Sequence, residues 1–397
     1  MKTTRSVGPA SVAAVFAAMM CVPVASAAPA ASPESGALAA AVQRDLGISV
    51  SEYERRSELA QRLAVFASTE QRRAPGSVRG VWLDQQGRAM VSAVGAAGEA
   101  ARQMGFQVGD EPANPVAVHS VRTDLRTPVA QETSNAPIAG GDVYVSRTPN
   151  NQAARCSWAF NVIDGDGTPA ALTAGHCNES VLAGQPLAPD QQTFRWQHDR
   201  ITGPATGTFE KSVVDGVRDY SIVRATPEAR ESFRNNLVRG PIGGPAVRVT
   251  GVGIPVSGAP VCKSGTTTGF TCGVIIAVDQ PDPQRPPIRF KHTALALPGD
   301  SGGALLSGTL AIGIISDGGI YSDPTRFPTD RPSVLPPAPP GSPITLSRLL
   351  QQIGPGPLQS AGPLVGGVLP YIPQIAMIAQ SVADVLAQNP GVQLRTN

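Results

Sequence analysis

The chain has 397 residues, enough for two or three domains, with a formal net charge of +2 and only 16% charged residues. That balance gives no reason to expect a nucleic-acid or anionic-membrane partner. The 42 glycines and 38 prolines favour turns, short strands and loops over long helices. Lys2 and Arg5 precede an apolar run from Val12 to Val24, and Ala25-Ser26-Ala27 supplies a small-residue cleavage pattern. Residues 1–27 therefore read as a secretory signal peptide, with Ala28 first after cleavage and the product secreted. The run is too short for a membrane span, and no other stretch is long and apolar enough. Beyond it remain Cys156, Cys177, Cys262 and Cys272, an even count that in an exported chain implies disulfides. Sequence alone leaves three pairings open. No C-x-x-C pair occurs, so neither a metal site nor a cofactor is expected.

Residues 28–36 form an Ala, Ser, Pro and Gly-rich leader. Ser49 followed by Glu52 makes a possible capping box, and Leu59, Leu63 and Phe66 fall on one helical face. Val81-Trp82-Leu83 and Met90 to Val94 flank Gln85-Gln86-Gly87 as a candidate hairpin. Thr127 to Pro137 is polar and turn-rich, a linker and processing site. Short strands follow. Phe160 to Ile163 and Ala171 to Thr173 bracket the turn Asp164-Gly165-Asp166-Gly167, and Val247 to Thr250 comes later. Val261 to Gly265 and Cys272 to Val278 bracket Thr266 to Gly269, and Leu310 to Ser316 is a buried strand. Many short strands with regular turns indicate antiparallel barrels. Asp330 to Pro343 is proline-dense, Ile344 to Leu350 reads as a short helix, and Gly354 to Pro370 as a linker. Ile375, Ile378, Val382, Val385 and Leu386 recur at helical spacing until Asn389-Pro390-Gly391.

The stretch Pro298-Gly299-Asp300-Ser301-Gly302-Gly303 carries the chemistry. A serine hydroxyl attacks only if a base takes its proton and donors bind the resulting oxyanion. The glycines let the amides of Gly299 and Ser301 converge beside the Ser301 oxygen. An α/β-hydrolase needs Ser, acid, His in that order, but the last histidine, His292, precedes Ser301. The order His, Asp, Ser remains. Ala170 to Ala174 is an apolar run ending in Gly175-His176-Cys177, and Asp219 opens the short apolar strand Tyr220 to Val223. His119, His198 and His292 fit the base less well. Asp215, Asp279 and Asp282 lie in turn-rich or proline-rich stretches.

These three motifs together resemble a chymotrypsin-fold serine protease, closest to the secreted streptogrisin and alpha-lytic protease group, over roughly residues 138 to 355. The resemblance implies an all-β fold of two six-stranded antiparallel β-barrels with a closing C-terminal helix, preceded by an α+β pro-segment at 28–137. Residues 356–397 would form a Pro/Gly linker and C-terminal helix. It implies the pairings Cys156–Cys177 and Cys262–Cys272; the first, closing a loop of about 20 residues, contributes on the order of 3 kcal/mol. It implies a mature start near Ile138, although Pro137 would then stand on the acyl side of the cut. The triad would be His176, Asp219 and Ser301, with the oxyanion hole at Gly299 and Ser301. Asp300 would form a buried ion pair with Lys263, where relatives usually carry Arg. Ser316-Asp317-Gly318 would pair with substrate backbone, and Ala296, Leu297 and Pro298 would wall the primary pocket. No cysteine stands where relatives tie that wall to the following loop. An apolar wall without a fixed charge favours an uncharged substrate side chain.

The expected partners are protein or peptide substrates and the pro-segment itself, which would assist folding and then block the monomeric secreted enzyme. The alternative is a catalytically silent barrel that binds a peptide or a surface. An esterase is disfavoured by residue order.

Overall fold

The computed structural model describes residues 33–110, 137–147, 153–178, 180, 191–198, 200–320, 327 and 375–397. The signal peptide, the linker up to 136, His119, and the segments at 330–343, 344–350 and 354–370 lie outside the described residues.

The N-terminal segment is α+β. It comprises α1 (Pro33–Leu46), α2 (Val50–Arg73), β1 (Val78–Leu83), β2 (Ala89–Ala93), α3 (Ala96–Gln103) and β3 (Gln107–Val108). Ser49 caps α2, its hydroxyl accepting the Glu52 N–H at 3.2 Å. The reciprocal half of the capping box is missing. The Glu52 carboxylate turns instead to Arg55 and Arg56, whose hydrogen bonds, Arg55 first, hold it down at about 2 against the opposing effect of burial. Leu63 and Phe66 are buried from the α2 face that the spacing predicts. The hairpin β1–β2 forms around Gly87.

The first barrel consists of β4 (Val143–Arg147), β5 (Ala153–Ser157), β6 (Asn161–Ile163), β7 (Pro169–Thr173), β8 (Gln192–Gln197), β9 (Arg200–Val214) and β10 (Asp219–Ala225). They form one antiparallel sheet ordered β6-β7-β10-β9-β8-β4-β5. Among the described residues no ladder joins its ends, so it is a rolled half-barrel. A small ladder of β11 (Leu237–Val238) and β12 (Val247–Arg248) follows.

The second barrel is closed. Its strands are β13 (Gly251–Val252), β14 (Pro260–Gly265), β15 (Gly269–Asp279), β16 (Arg289–His292), β17 (Ala304–Ser307), β18 (Leu310–Ile320) and β19 (Ile375–Ser381). Six run β18-β17-β14-β15-β16-β19, and β19 pairs back onto β18. The chain ends in α4 (Val382–Gln388) and β20 (Gln393–Leu394), which pairs with β6. Val382 and Val385 pack with Phe160, Leu172 and Tyr220, so α4 closes the first barrel. One closed six-stranded barrel beside a half-barrel, with a closing helix, matches the expected trypsin-like double barrel, although the first of the two expected six-stranded barrels is not closed among the described residues.

One expectation is corrected. The helical spacing that begins at Ile375 holds only from Val382; Ile375–Ser381 is a strand, hydrogen-bonded to both β16 and β18. Both of its faces are covered, so Ala376, Met377, Ala379 and Gln380 are all buried and the period of two is hidden. Residues 375–381 thus belong to the barrel rather than to an appended tail beyond 355.

The N-terminal segment docks on the second barrel. Leu63, Phe66, Leu83 and Phe106 share one core with Val261, Ile275, Leu305 and Ile312. Ala41, Val42 and Tyr53 pack with Phe270, Cys262 and Cys272. The Gln61 amide exchanges two hydrogen bonds with the Ile254 backbone, at 2.9 and 3.1 Å. Asp45 accepts the Cys272 N–H at 2.7 Å, and the Tyr53 hydroxyl accepts that of Gly308 at 2.9 Å. Covered by these helices outside and by the core inside, β14 is buried at every position. No helix among the described residues is long and apolar enough to cross a membrane.

Candidate active site

Ser301 sits in the tight turn between Leu297 and β17. Gly299 and Gly302 adopt φ of 101° and 80°, backbone that an L-residue rarely takes. The turn is held from below by Asp300. Its buried carboxylate accepts the amides of Leu297, Thr267 and Thr268 at 2.9, 2.8 and 3.1 Å, and the Thr268 hydroxyl at 2.7 Å. Lys263, fully buried, is 3.2 Å from the same carboxylate and donates to the Gly269 carbonyl and to the Thr268 hydroxyl. Burial lowers the Lys263 pKa and the Asp300 charge opposes that shift. With the backbone bound from behind, the amides of Gly299 and Ser301 find no acceptor among the described residues.

His176 lies in a single 3₁₀ turn, Gly175–Cys177, at the end of β7. Its Nδ1 is 2.8 Å from Asp219 Oδ2, and its backbone N–H donates to Asp219 Oδ1 at 2.8 Å. Ser316 Oγ donates to Asp219 Oδ2 at 2.6 Å. The Asp219 N–H donates to the Gln380 carboxamide oxygen at 3.1 Å. Gln380 in turn donates to Asp384, which takes Arg218 in a forked pair. Burial raises the Asp219 pKa, but the imidazole charge and the donated hydrogen bonds win, and it lies below the usual range. Burial likewise disfavours the imidazolium at His176, yet the Asp219 charge and hydrogen bond, helped by Asp317, hold its pKa above the ordinary value.

The two barrels meet through Ser157 on β5. Its N–H donates to the Ser301 carbonyl at 2.8 Å and its hydroxyl to the Gly299 carbonyl at 2.8 Å, while it accepts the Thr266 N–H at 2.9 Å. Gly302 abuts the Thr173 hydroxyl and the Ser157 carbonyl so closely that a Cβ would collide with them. The bridge Cys156–Cys177 ties β5 to the His176 turn, and Cys262–Cys272 staples β14 to β15. These contacts bring the Ser301 turn up to the His176 turn. No hydrogen bond joins the Ser301 hydroxyl to the imidazole in this conformation.

The remaining expected residues fall around this centre. Ala296 and Leu297 are buried beside the turn, and the Met377 thioether packs against Gly318. Ser316 and Asp317 continue β18 past the end of its ladder with β17 at Ala304–Ile314. The Gly318 N–H donates to Asp317 Oδ1 at 2.7 Å. Ser157 and Gln380 were not legible in sequence. Neither residue type signals chemistry, and both act only across barrels that the fold brings together.

No family model matches the chain. Serine protease 2 of Streptomyces fradiae is 31% identical over 185 residues, a match covering 46% of this chain and 94% of that protein. Streptogrisin-D of Streptomyces griseus is 32% identical over 191 residues, covering 46% of this chain and 41% of that protein. The match to streptogrisin-C covers 36% of its length, so the chain spans about two-fifths of the streptogrisins it matches. The crystal structure of Nocardiopsis protease is 26% identical, with a TM-score of 0.40 over 66% of this chain and 100% of that one. The chain belongs to the chymotrypsin-fold serine proteases, in the streptogrisin and alpha-lytic protease group.

Proposed function

We propose that the chain is the precursor of an extracellular serine endopeptidase. Residues 1–27 direct export and 28–137 form a removable pro-segment. The catalytic part begins near Ile138. His176 takes the Ser301 proton as the hydroxyl attacks the scissile carbonyl, then returns it to the leaving amine. Asp219 orients the imidazole and stabilises its protonated form. The amides of Gly299 and Ser301 receive the oxyanion, and the acyl-enzyme is then hydrolysed by water. The acyl side of the substrate lies along Ser316–Gly318, with its side chain against Ala296 and Leu297.

The observation that carries this reading is the half-buried contact of His176 with Asp219 at 2.8 Å, clasped through Ser157 to the turn that carries Ser301. The N-terminal segment docks on the second barrel through an apolar core, which suits a role in assembling that barrel. Among the described residues it makes no hydrogen bond to His176, Asp219 or Ser301.

The test is hydrolysis of an internally quenched peptide library by the secreted, processed protein and by its Ser301→Ala variant. Cleavage by the first and none by the second is expected. Peptide binding without cleavage by either would establish the silent barrel instead.

A further inference from the structure

Beside the proposed oxyanion turn lies a cation that the triad does not use. Arg155 stands on β5, one residue before Cys156. Its Nε and Nη2 lie 3.5 and 3.6 Å from the point where a Cβ on Gly299 would stand, so the guanidinium sits against that turn. Arg155 is half-buried, and among the described residues its guanidinium has no carboxylate and no hydrogen-bond acceptor. Four other half-buried arginines of the barrels are matched. Arg239 is 2.7 Å from Asp142, Arg218 2.9 Å from Asp384, Arg224 2.9 Å from Asp164 and Arg289 2.8 Å from Asp279. A planar five-donor fork, partly withdrawn from water and left unmatched, is suited to a carboxylate arriving from outside.

Its position decides which part of a substrate it meets. The pocket wall Ala296–Leu297 and the strand Ser316–Gly318 belong to the second barrel and take the acyl side. Arg155 belongs to the first barrel, adjoins the Cys156–Cys177 bridge and stands two residues before Ser157, whose hydroxyl holds the Gly299 carbonyl. A peptide crossing the cleft passes from the second barrel, over Ser301, toward β5. We propose that Arg155 is a specificity anchor on the leaving-group side, binding the carboxylate of an acidic residue one or two positions after the scissile bond. The inference rests on the triad reading of the same site. The group recognised is a carboxylate, and the fork can hold both of its oxygens at once.

The test uses the processed protein and quenched peptides with one fixed acyl sequence. The first two leaving residues are varied among Asp or Glu, Gln or Ala, and Lys. Acidic peptides are expected to show about tenfold higher kcat/KM than neutral ones, with Lys lowest and the gap narrowing as salt rises. In Arg155→Gln the acidic-to-neutral ratio falls to near one, while in Arg155→Lys part of it survives. Equal cleavage of acidic and neutral peptides by the unaltered protein overturns the anchor, as does a ratio that persists in Arg155→Gln. Labelling by a fluorophosphonate, which has no leaving-side residues, is run alongside. Labelling without an acidic preference refutes the anchor alone; absence of labelling refutes the triad reading and the anchor with it.

Discussion

At His176 the sign of one balance sets the working pH. Burial pushes the imidazole toward neutrality and Asp219 pulls it toward charge, and Asp219 wins. The proposed base acts only when unprotonated. Activity is therefore expected to rise with pH through a midpoint above the ordinary histidine value of about 6.5, then level off. A pH profile of kcat/KM on a neutral peptide checks this. Asp219→Asn should lower kcat by about 10⁴ and move the midpoint down, because the charge that raised it is gone. His292 presents the opposite balance. It is fully buried in the second barrel, neither ring nitrogen has a partner among the described residues, and burial, then Lys263, pushes it down to about 3. The unfolded chain takes up that proton near pH 6.5 and the native state does not until about 3. Stability is thus lost as pH falls across this window, by up to about 1.4 kcal/mol per pH unit. Urea midpoints measured from pH 7 to pH 4 should fall less steeply in His292→Leu. The proposed triad and the Lys263–Asp300 pair were within reach of the sequence only through the family resemblance that Gly175-His176-Cys177, Asp219 and the glycines around Ser301 carry. His292 was not, since a histidine buried without partners looks like any other in a chain read linearly.

Between elements, the link from α4 to the proposed acid is the least visible in sequence and the most open to test. Gln380 on β19 receives the Asp219 N–H, donates to the Ile288 carbonyl at 2.9 Å, and donates to Asp384 at 3.0 Å. These bonds fix the Asp219 backbone to the last strand and helix of the chain. Gln380→Met keeps the volume but strips these bonds, leaving a buried N–H unmet. As a positioning residue, Gln380 should show a fall in kcat of about tenfold with little change in KM and a lowered pH midpoint. A purely structural role would shift only the urea midpoint. The hairpins β6–β7 and β14–β15 were legible because their turns carry Gly167 and Gly269 at positive φ between apolar strands. Strand β19 was not, because its partners β16 and β18 decide its state and its own spacing also fits a helix.

Across the whole molecule, the N-terminal segment and the second barrel share one hydrophobic core. Leu63 is fully buried there, so Leu63→Ala should destabilise the uncleaved chain by about 2–5 kcal/mol, read from its urea midpoint. The amphipathic face of α2 was readable from its period. Helix α1 was not, because Leu38, Ala41, Val42 and Leu46 gain their partners only when they meet Tyr53 and the Cys262–Cys272 hairpin. The proposal rests on a hydroxyl at the junction of two barrels being made nucleophilic by groups from both. The direct measurement is intact-mass and peptide-mapping spectrometry of the processed protein after fluorophosphonate treatment. One adduct per chain, on Ser301 and lost in His176→Ala, is the expected result; an unmodified Ser301, or an adduct that persists at Ser301 without His176, would contradict it.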